Sequence, residues 1–261
     1  MPFVNCGELE YYYLENLQRA GVEHGFFTRK GGISPKPFDT LNLASTVGDT
    51  RDNIIENRMR IFNVFDSPVE SIFDVWQVHS DRIMISEEPR PLASDHEKAD
   101  AIVTSNPNVT LFMRFADCVP IMLYDPKSGV GAIVHAGWKG TVDKILTKTV
   151  LKIREHYGSK DMIAGIGPSI GPCHYEVGKE VIQQVEKAFP KMANELISEA
   201  NHFDLWKANQ VQLEELGISN IQVAEVCTAC DTSRWFSHRA EKGKTGRFGA
   251  IMVLPGVLNE K

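Results

Sequence analysis

The chain has 261 residues, 43% of them apolar, and a formal net charge of −6, which suits a globular protein with a sizeable core. The negative balance argues against a nucleic-acid or polyanion binder, although local Arg and Lys clusters can hold small anions against it. Residues 1–10 carry neither a basic start nor a long apolar run, and no stretch is long enough to cross a bilayer, so no signal peptide and a cytoplasmic location are expected.

Apolar pattern and turn residues predict a strand over 24–28, a glycine-rich loop over 29–35 and a long loop over 42–48. Asp49 reads as the N-cap of a helix running to about 65, with Ile55, Met59 and Phe62 on one face. Strands follow around 72–78 and 82–85, then a polar surface loop over 87–98. Further strands are predicted at 101–104, 110–115, 120–124 and 129–134, with a turn at 125–129 between the last two. Gly137-Trp138-Lys139-Gly140-Thr141 leads into a helix ended by Gly158, with Val142, Ile145, Leu146, Thr149, Val150 and Ile153 as its buried stripe. A strand at 162–166, a helix at 179–188 stopped by Pro190, a helix from an Asp204 cap to Gly217, and strands at 221–226 and 248–254 complete the chain. Interleaved strands and helices predict an α+β or mixed α/β fold in layers, with no clear domain boundary.

Three of these segments end an apolar run in a soft or borderline metal ligand: Val75-Trp76-Gln77-Val78-His79, Leu111 through Cys118, and Val130 through His135. Ligands just past strand ends sit in loops at a sheet rim. Two imidazoles and one thiolate make a three-donor zinc set whose open fourth position marks a catalytic ion. The three are distant in sequence, so the fold must assemble them. A lone histidine is more often a surface or core residue, and a lone cysteine a small buried hydrophobe. Cys118 with His135 can also be read as a metal-free thiolate nucleophile and its base, because metal binding would deprotonate the same sulfur. Asp117 reads as a general acid or base, or as a group orienting a ligating imidazole.

Five cysteines at irregular spacing suit free thiols or metal ligands better than a disulfide framework. Cys227-Thr228-Ala229-Cys230 lacks a second cysteine pair and reads as structural. Cys173 and His174 follow a strand and either line the pocket or pack in a turn. His24, His96, His156 and His202 have no ligand context and read as solvated or capping. Arg29-Lys30-Gly31-Gly32 suits phosphate through backbone N–H groups and an arginine fork, and Gly137 to Thr141 opens a helix; either is equally a tight turn. Arg239 and Arg247 are further anion candidates, with surface salt bridges as the alternative.

Gln77-Val78-His79-Ser80, Ala116-Asp117-Cys118-Val119-Pro120, His135 through Thr141 and Ile166-Gly167-Pro168-Ser169-Ile170-Gly171 resemble the YfiH/YlmD-type family. It is also called the laccase-domain or multicopper polyphenol oxidase-like family. The likeness extends to Phe27 through Gly32 and to Phe236-Ser237-His238-Arg239 with Gly246-Arg247-Phe248, in order across nearly the whole chain. The resemblance implies a single domain, 1–261, of mixed β-sheets flanked by helices, with a mononuclear zinc on His79, Cys118 and His135. It implies a purine nucleoside phosphorylase for adenosine, inosine, guanosine and methylthioadenosine, with adenosine deaminase activity as a second expectation. The older label is copper-dependent polyphenol oxidation.

On this reading Cys118, His135 and Asp117 are the catalytic candidates, and Arg29 and Arg239 would bind substrate or phosphate. A zinc-activated water would attack carbon 6 of adenosine while Asp117 shuttles protons. Partners are a purine nucleoside and phosphate, with no nucleic acid or membrane, in a monomer or homodimer. Copper fits the same donors, yet the chain has eight histidines and no His-x-His pair. A metal-independent Cys/His hydrolase acting on cell-wall precursors is the main alternative function. A non-catalytic metal protein would need a fourth ligand to close its site.

Overall fold

The computed structural model describes residues 2–256. The chain opens with β1 (Phe3–Cys6) and β2 (Leu9–Tyr12), an antiparallel hairpin that the mixed polar pattern of the sequence had concealed. Then come α1 (Glu15–Arg19), β3 (Glu23–Phe27), α2 (Arg51–Asn63), β4 (Ile72–Phe73), β5 (Ile83–Ile85) and β6 (Ala101–Thr104). The centre holds β7 (Thr110–Phe115), β8 (Val119–Asp125), β9 (Val130–Ala136), α3 (Trp138–Val142), α4 (Ile145–Tyr157) and β10 (Ile163–Ile166). The last third adds α5 (Lys179–Ala188), α6 (Ala193–Leu196), α7 (Leu205–Glu215), β11 (Asn220–Val223) and β12 (Phe248–Val253).

The strands form two six-stranded sheets, ordered β1-β2-β3-β12-β7-β4 and β11-β10-β8-β9-β6-β5. Both mix parallel and antiparallel pairs, so the fold is α+β, as the interleaved pattern predicts. Period-2 alternation decides which residues go where. In β8, Val119, Ile121 and Leu123 face the helical layer, while Met122 and Tyr124 face the other sheet. In β9, Val130, Ala132, Val134 and Ala136 face the helices and Ile133 faces the sheet. His135 has the parity of Ile133, so it points into the space between the sheets at the end of its strand. Leu111, Met113 and Phe115 of β7 and Phe248, Ala250 and Met252 of β12 supply the opposite wall of that inner core. Phe112 and Ile251 point outward, where Ile61 and Phe62 of α2 cover them. Among the described residues, no helix is long and apolar enough to cross a membrane.

Four expectations change. The face of α2 is displaced: Ile54, Asn57, Ile61 and Phe62 are buried, while Ile55 and Met59 are 47% and 42% exposed. Asn57 hides the true stripe, being buried for its bonds to Ser34 Oγ and the Asn42 carbonyl rather than for apolarity. The cap is Thr50, which accepts from Asn53 N. The strand expected over 72–78 stops at Phe73, because the next residue, Asp74, is fully buried and gathers Arg58, Arg90, Arg114 and His96. The helix after Gly137 is broken at Lys144, which adopts φ 62°, although the stripe of α4 is buried as expected.

Candidate metal centre and cavity

His79, Cys118 and His135 offer one ligand atom each, all within 4.8 Å of one another. Cys118 Sγ lies 3.6 Å from His79 Nε2, and the two imidazole centroids are 4.9 Å apart. Cys118 reaches this point as the strand-end pattern predicts, in a loop just past its strand, whereas His79 and His135 do not. His79 lies in the connection from β4 to β5, in the left-handed region at φ 58°. Cys118 lies in the three-residue connection from β7 to β8, just after Asp117 at φ 86°. His135 is inside β9, its second-last residue.

Asp100 holds the first and third ligands together, and the sequence reading did not single it out. It is fully buried. Its Oδ1 accepts from His79 N at 3.0 Å and from His135 Nδ1 at 2.8 Å. Its Oδ2 accepts from Val78 N, Ser80 N and Ser80 Oγ at 3.2, 2.6 and 2.8 Å. A carboxylate can only accept here, so His135 donates its Nδ1–H to Asp100 and turns its Nε2 edge toward Cys118. Burial would raise the Asp100 carboxyl, but the His135 and Ser80 donors outweigh it and hold it well below the usual range. Burial also opposes charge on Cys118 and His135. Their mutual attraction wins, lowering the thiol and raising the imidazole. Two nitrogens and a readily formed thiolate suit one borderline cation, zinc or copper, with an open coordination position. Among the described residues, no further histidine joins them, so the donor set is that of one ion rather than a multinuclear copper centre.

Gly137 packs directly on this cluster: a Cβ there would meet Cys118 Sγ at 2.9 Å and His79 Cδ2 at 3.2 Å. Its role is close approach, and the helix it opens, α3, is only five residues long.

The cluster floors a cavity of about 420 Å³, a size suited to a small ligand. Trp76, 51% exposed, and Tyr175 give it aromatic walls. Arg114, Arg239 and Arg247 give it positive charge. Arg239 donates Nη1 to the Glu176 carbonyl and lies 5.1 Å above the Tyr175 ring. Arg247 donates Nη1 to the Thr245 and Gly246 carbonyls. The remaining guanidinium N–H groups of both have no partner among the described residues. Behind this wall three guanidinium groups face the single carboxylate of Asp74, a surplus of positive charge that favours anions.

Other expectations shift with the geometry. Asp117 lines the cavity but orients no imidazole: its Oδ1 accepts from Thr228 Oγ1 at 2.7 Å and its Oδ2 from Arg239 N at 2.6 Å. Arg29 does not line the cavity. Its fork is engaged by the Asp39 and Thr232 carbonyls and by Glu241, and it stacks 4.4 Å from the Phe236 ring. The glycine-rich loop is a tight turn: Gly32 N donates to Thr40 Oγ1, Ile33 N to Asn57 Oδ1, and a Cβ on Gly32 would meet Thr40 O at 2.2 Å. Cys173 and His174 do not line the cavity and meet Cys227 and Cys230 instead. His24 is buried rather than solvated, donating Nδ1–H to the Val22 carbonyl and accepting from Leu14 N. His96 reaches Asp74 and lines the cavity.

Comparison with known proteins agrees with this architecture. Purine nucleoside phosphorylase YlmD of Bacillus subtilis is 36% identical over 253 residues, covering 92% of this chain and 91% of that protein. Purine nucleoside phosphorylase YlmD of Geobacillus stearothermophilus is 35% identical over 247 residues, covering 89% and 90%. The crystal structure of YlmD from Geobacillus stearothermophilus superposes with a TM-score of 0.90 at 30% identity, covering 98% of this chain and 99% of that one. Residues 23–255 match the family model described as multi-copper polyphenol oxidoreductase laccase, and the chain belongs to that family.

Proposed function

We propose that the chain is a purine nucleoside phosphorylase with one zinc ion held by His79, Cys118 and His135. Its substrates on this reading are adenosine, inosine, guanosine and methylthioadenosine, with phosphate as acceptor. The observation that carries the proposal is that one cavity joins three metal donors, aromatic walls and guanidinium groups with free N–H donors. The names of two relatives point the same way.

Trp76 and Tyr175 offer apolar faces of purine size. Arg239 and Arg247 would hold phosphate oxygens against the anomeric carbon. There the base–sugar bond breaks, its electron pair leaves with the base, and a phosphate oxygen forms the new bond to carbon. The ribose becomes electron-poor as this happens, and a phosphate already seated beside it offsets that charge. Asp117 acts through Arg239, whose backbone N–H it holds. Arg29 is not assigned a substrate contact, because its donors are taken. When bound, zinc supplies a Lewis acid at the cavity floor. Deamination of adenosine, in which water replaces ammonia at carbon 6, belongs to the same proposal because three protein donors leave a coordination position open.

Incubation with inosine, with and without phosphate, tests the main activity by chromatography. Phosphate-dependent release of hypoxanthine supports it, and no release, or release indifferent to phosphate, overturns it. Inosine formed from adenosine alone tests the deamination. Metal analysis separates the readings of the cluster: full activity in metal-free protein would favour Cys118 and His135 as nucleophile and base, and oxidation of a polyphenol by copper-loaded protein would favour the older label.

A further inference from the structure

Away from the cavity floor, two loops leave neighbouring strands at the same end of one sheet. Strands β10 and β11 pair in parallel, Ile166 beside Val223, and a further bridge joins Ser169 to Cys227. The first loop carries Cys173 and His174, and the second carries Cys227 and Cys230. The four ligand atoms lie within 4.8 Å of one another. His174 Nδ1 stands 3.3 Å from Cys173 Sγ, 3.4 Å from Cys230 Sγ and 3.7 Å from Cys227 Sγ. Cys173 Sγ and Cys230 Sγ are 3.5 Å apart.

We infer that Cys173, His174, Cys227 and Cys230 form a second metal site, closed by four protein donors, which takes one zinc ion and clamps these two loops together. Tetrahedral zinc with bonds of about 2.3 Å to sulfur and about 2.0 Å to nitrogen sets its ligands about 3.8 Å apart for two sulfurs and about 3.5 Å for sulfur and nitrogen. The Cys173–Cys230 spacing of 3.5 Å and the three spacings from His174 Nδ1, 3.3, 3.4 and 3.7 Å, lie close to those values, and all four atoms stay within 4.8 Å. A disulfide would bring its sulfurs to about 2.05 Å, well inside the 3.5 Å between Cys173 and Cys230. An iron–sulfur cluster would hold its thiolates apart across the breadth of its inorganic core. Gly171 N donates to Cys227 Sγ at 3.2 Å. Three thiol protons pass to solvent as the ion binds.

The clamp lies behind the cavity wall. Tyr175 follows His174 directly and lines the cavity, and Glu176 accepts from Arg239. Thr228, between the two cysteines of the second loop, donates to Asp117. The ion therefore braces residues that shape the first site without joining it.

The test is metal counting on the purified full chain. Two zinc ions per chain are expected, falling to one in Cys227→Ser/Cys230→Ser and to one in His79→Ala/Cys118→Ala. Cobalt replacing zinc should give a sulfur-to-metal absorption stronger at this site than at the other, in proportion to its three thiolates. Alkylation of the unaltered protein keeps the inference testable if the serine variant fails to fold. Cys173, Cys227 and Cys230 should resist labelling until a chelator strips the zinc, while the exposed Cys6 reacts at once. One zinc per chain that vanishes with His79 and Cys118, or a Cys173–Cys230 disulfide in peptide mapping, overturns the inference. The proposal uses none of the first site's ligands, so nucleoside activity and this zinc count fail or hold separately.

Discussion

Replacing Asp100 with Asn changes no shape and reverses one end of a hydrogen-bond pattern. Five donors converge on the two carboxylate oxygens, two on Oδ1 and three on Oδ2. An amide keeps one oxygen and presents an NH₂ in place of the other. If the NH₂ takes the Oδ2 place, the Val78 and Ser80 backbone N–H groups face a donor and the 78–80 loop loses its anchor, while Ser80 Oγ–H can rotate away. If it takes the Oδ1 place, His79 N–H faces a donor and His135 must move its proton to Nε2, where it cannot ligate. Each unsatisfied buried donor costs about 1–3 kcal/mol, so loss of at least one or two predicts about 1–6 kcal/mol of destabilisation. Loss of a group that orients a metal-bound imidazole typically weakens metal binding about 10–100-fold. Urea unfolding of the metal-stripped variant measures the first effect, and zinc competition with a chromophoric chelator measures the second. Asp117→Asn is the control, since Asp117 touches no imidazole. Wild-type zinc affinity in Asp100→Asn would refute the assignment of His135 Nε2 and His79 as ligands held by this carboxylate.

Gly137→Ala should weaken zinc binding about tenfold or more, because its Cβ would press on Cys118 Sγ and His79 Cδ2; unchanged chelator competition would show that the ligands yield freely. Arg29→Ala should destabilise the fold by about 2–4 kcal/mol by stranding the partly buried Glu241 and two carbonyls, while leaving the KM for phosphate unchanged. Arg239→Ala should do the reverse, raising the KM for phosphate by about tenfold or more with little change in the urea midpoint; equal effects on KM from both variants would remove the distinction. Burial pulls His24 down from 6.5 to about 4, with its bond to the Val22 carbonyl opposing. The unfolded chain therefore takes up this proton first, so stability is whole above pH 6.5 and declines as pH falls toward about 4. The loss reaches about 3 kcal/mol, and urea midpoints across that range should fall less steeply in His24→Gln than in the unaltered protein.

The strands in the middle of the chain were legible because their apolar runs are bounded by turn residues. Ala101–Thr104 and Thr110–Phe115 stand where the pattern put them. The three candidate ligands were legible for a different reason: each interrupts or ends an apolar run with a side chain that packing alone does not require. What stayed hidden was polar chemistry that serves packing. Asn57 occupies a core face of α2, and Asp74 and Asp100 sit at full burial. Hydrophobic periodicity treats such residues as surface, and their partners are remote in sequence. Arg29 was misread in the opposite direction, since an arginine beside two glycines looks ready for phosphate until its fork is seen to be filled. Cys227 and Cys230 seemed to lack a second pair because their complement is the adjacent Cys173 and His174, a spacing that no local cysteine pattern exposes.

The position of the cavity follows from how the chain passes between its two sheets. β4 and β7 belong to one sheet, and β5 and β8 to the other, so the connections bearing His79 and Cys118 both cross the gap. His135 meets them because its strand parity aims it into the same gap where the inner core ends. The long connection from β11 to β12 crosses as well, and it carries Cys227, Cys230, Arg239 and Arg247. A crossing chain cannot continue either ladder, so its backbone turns sharply, as the left-handed Asp117 and His79 show. It must also satisfy its polar groups from side chains, and Asp100 and Asp117 supply those bonds. The candidate metal donors, the cavity's guanidinium groups and the carboxylates that fix them therefore gather where the sheets part, because the crossing connections there need polar side chains to satisfy their backbones.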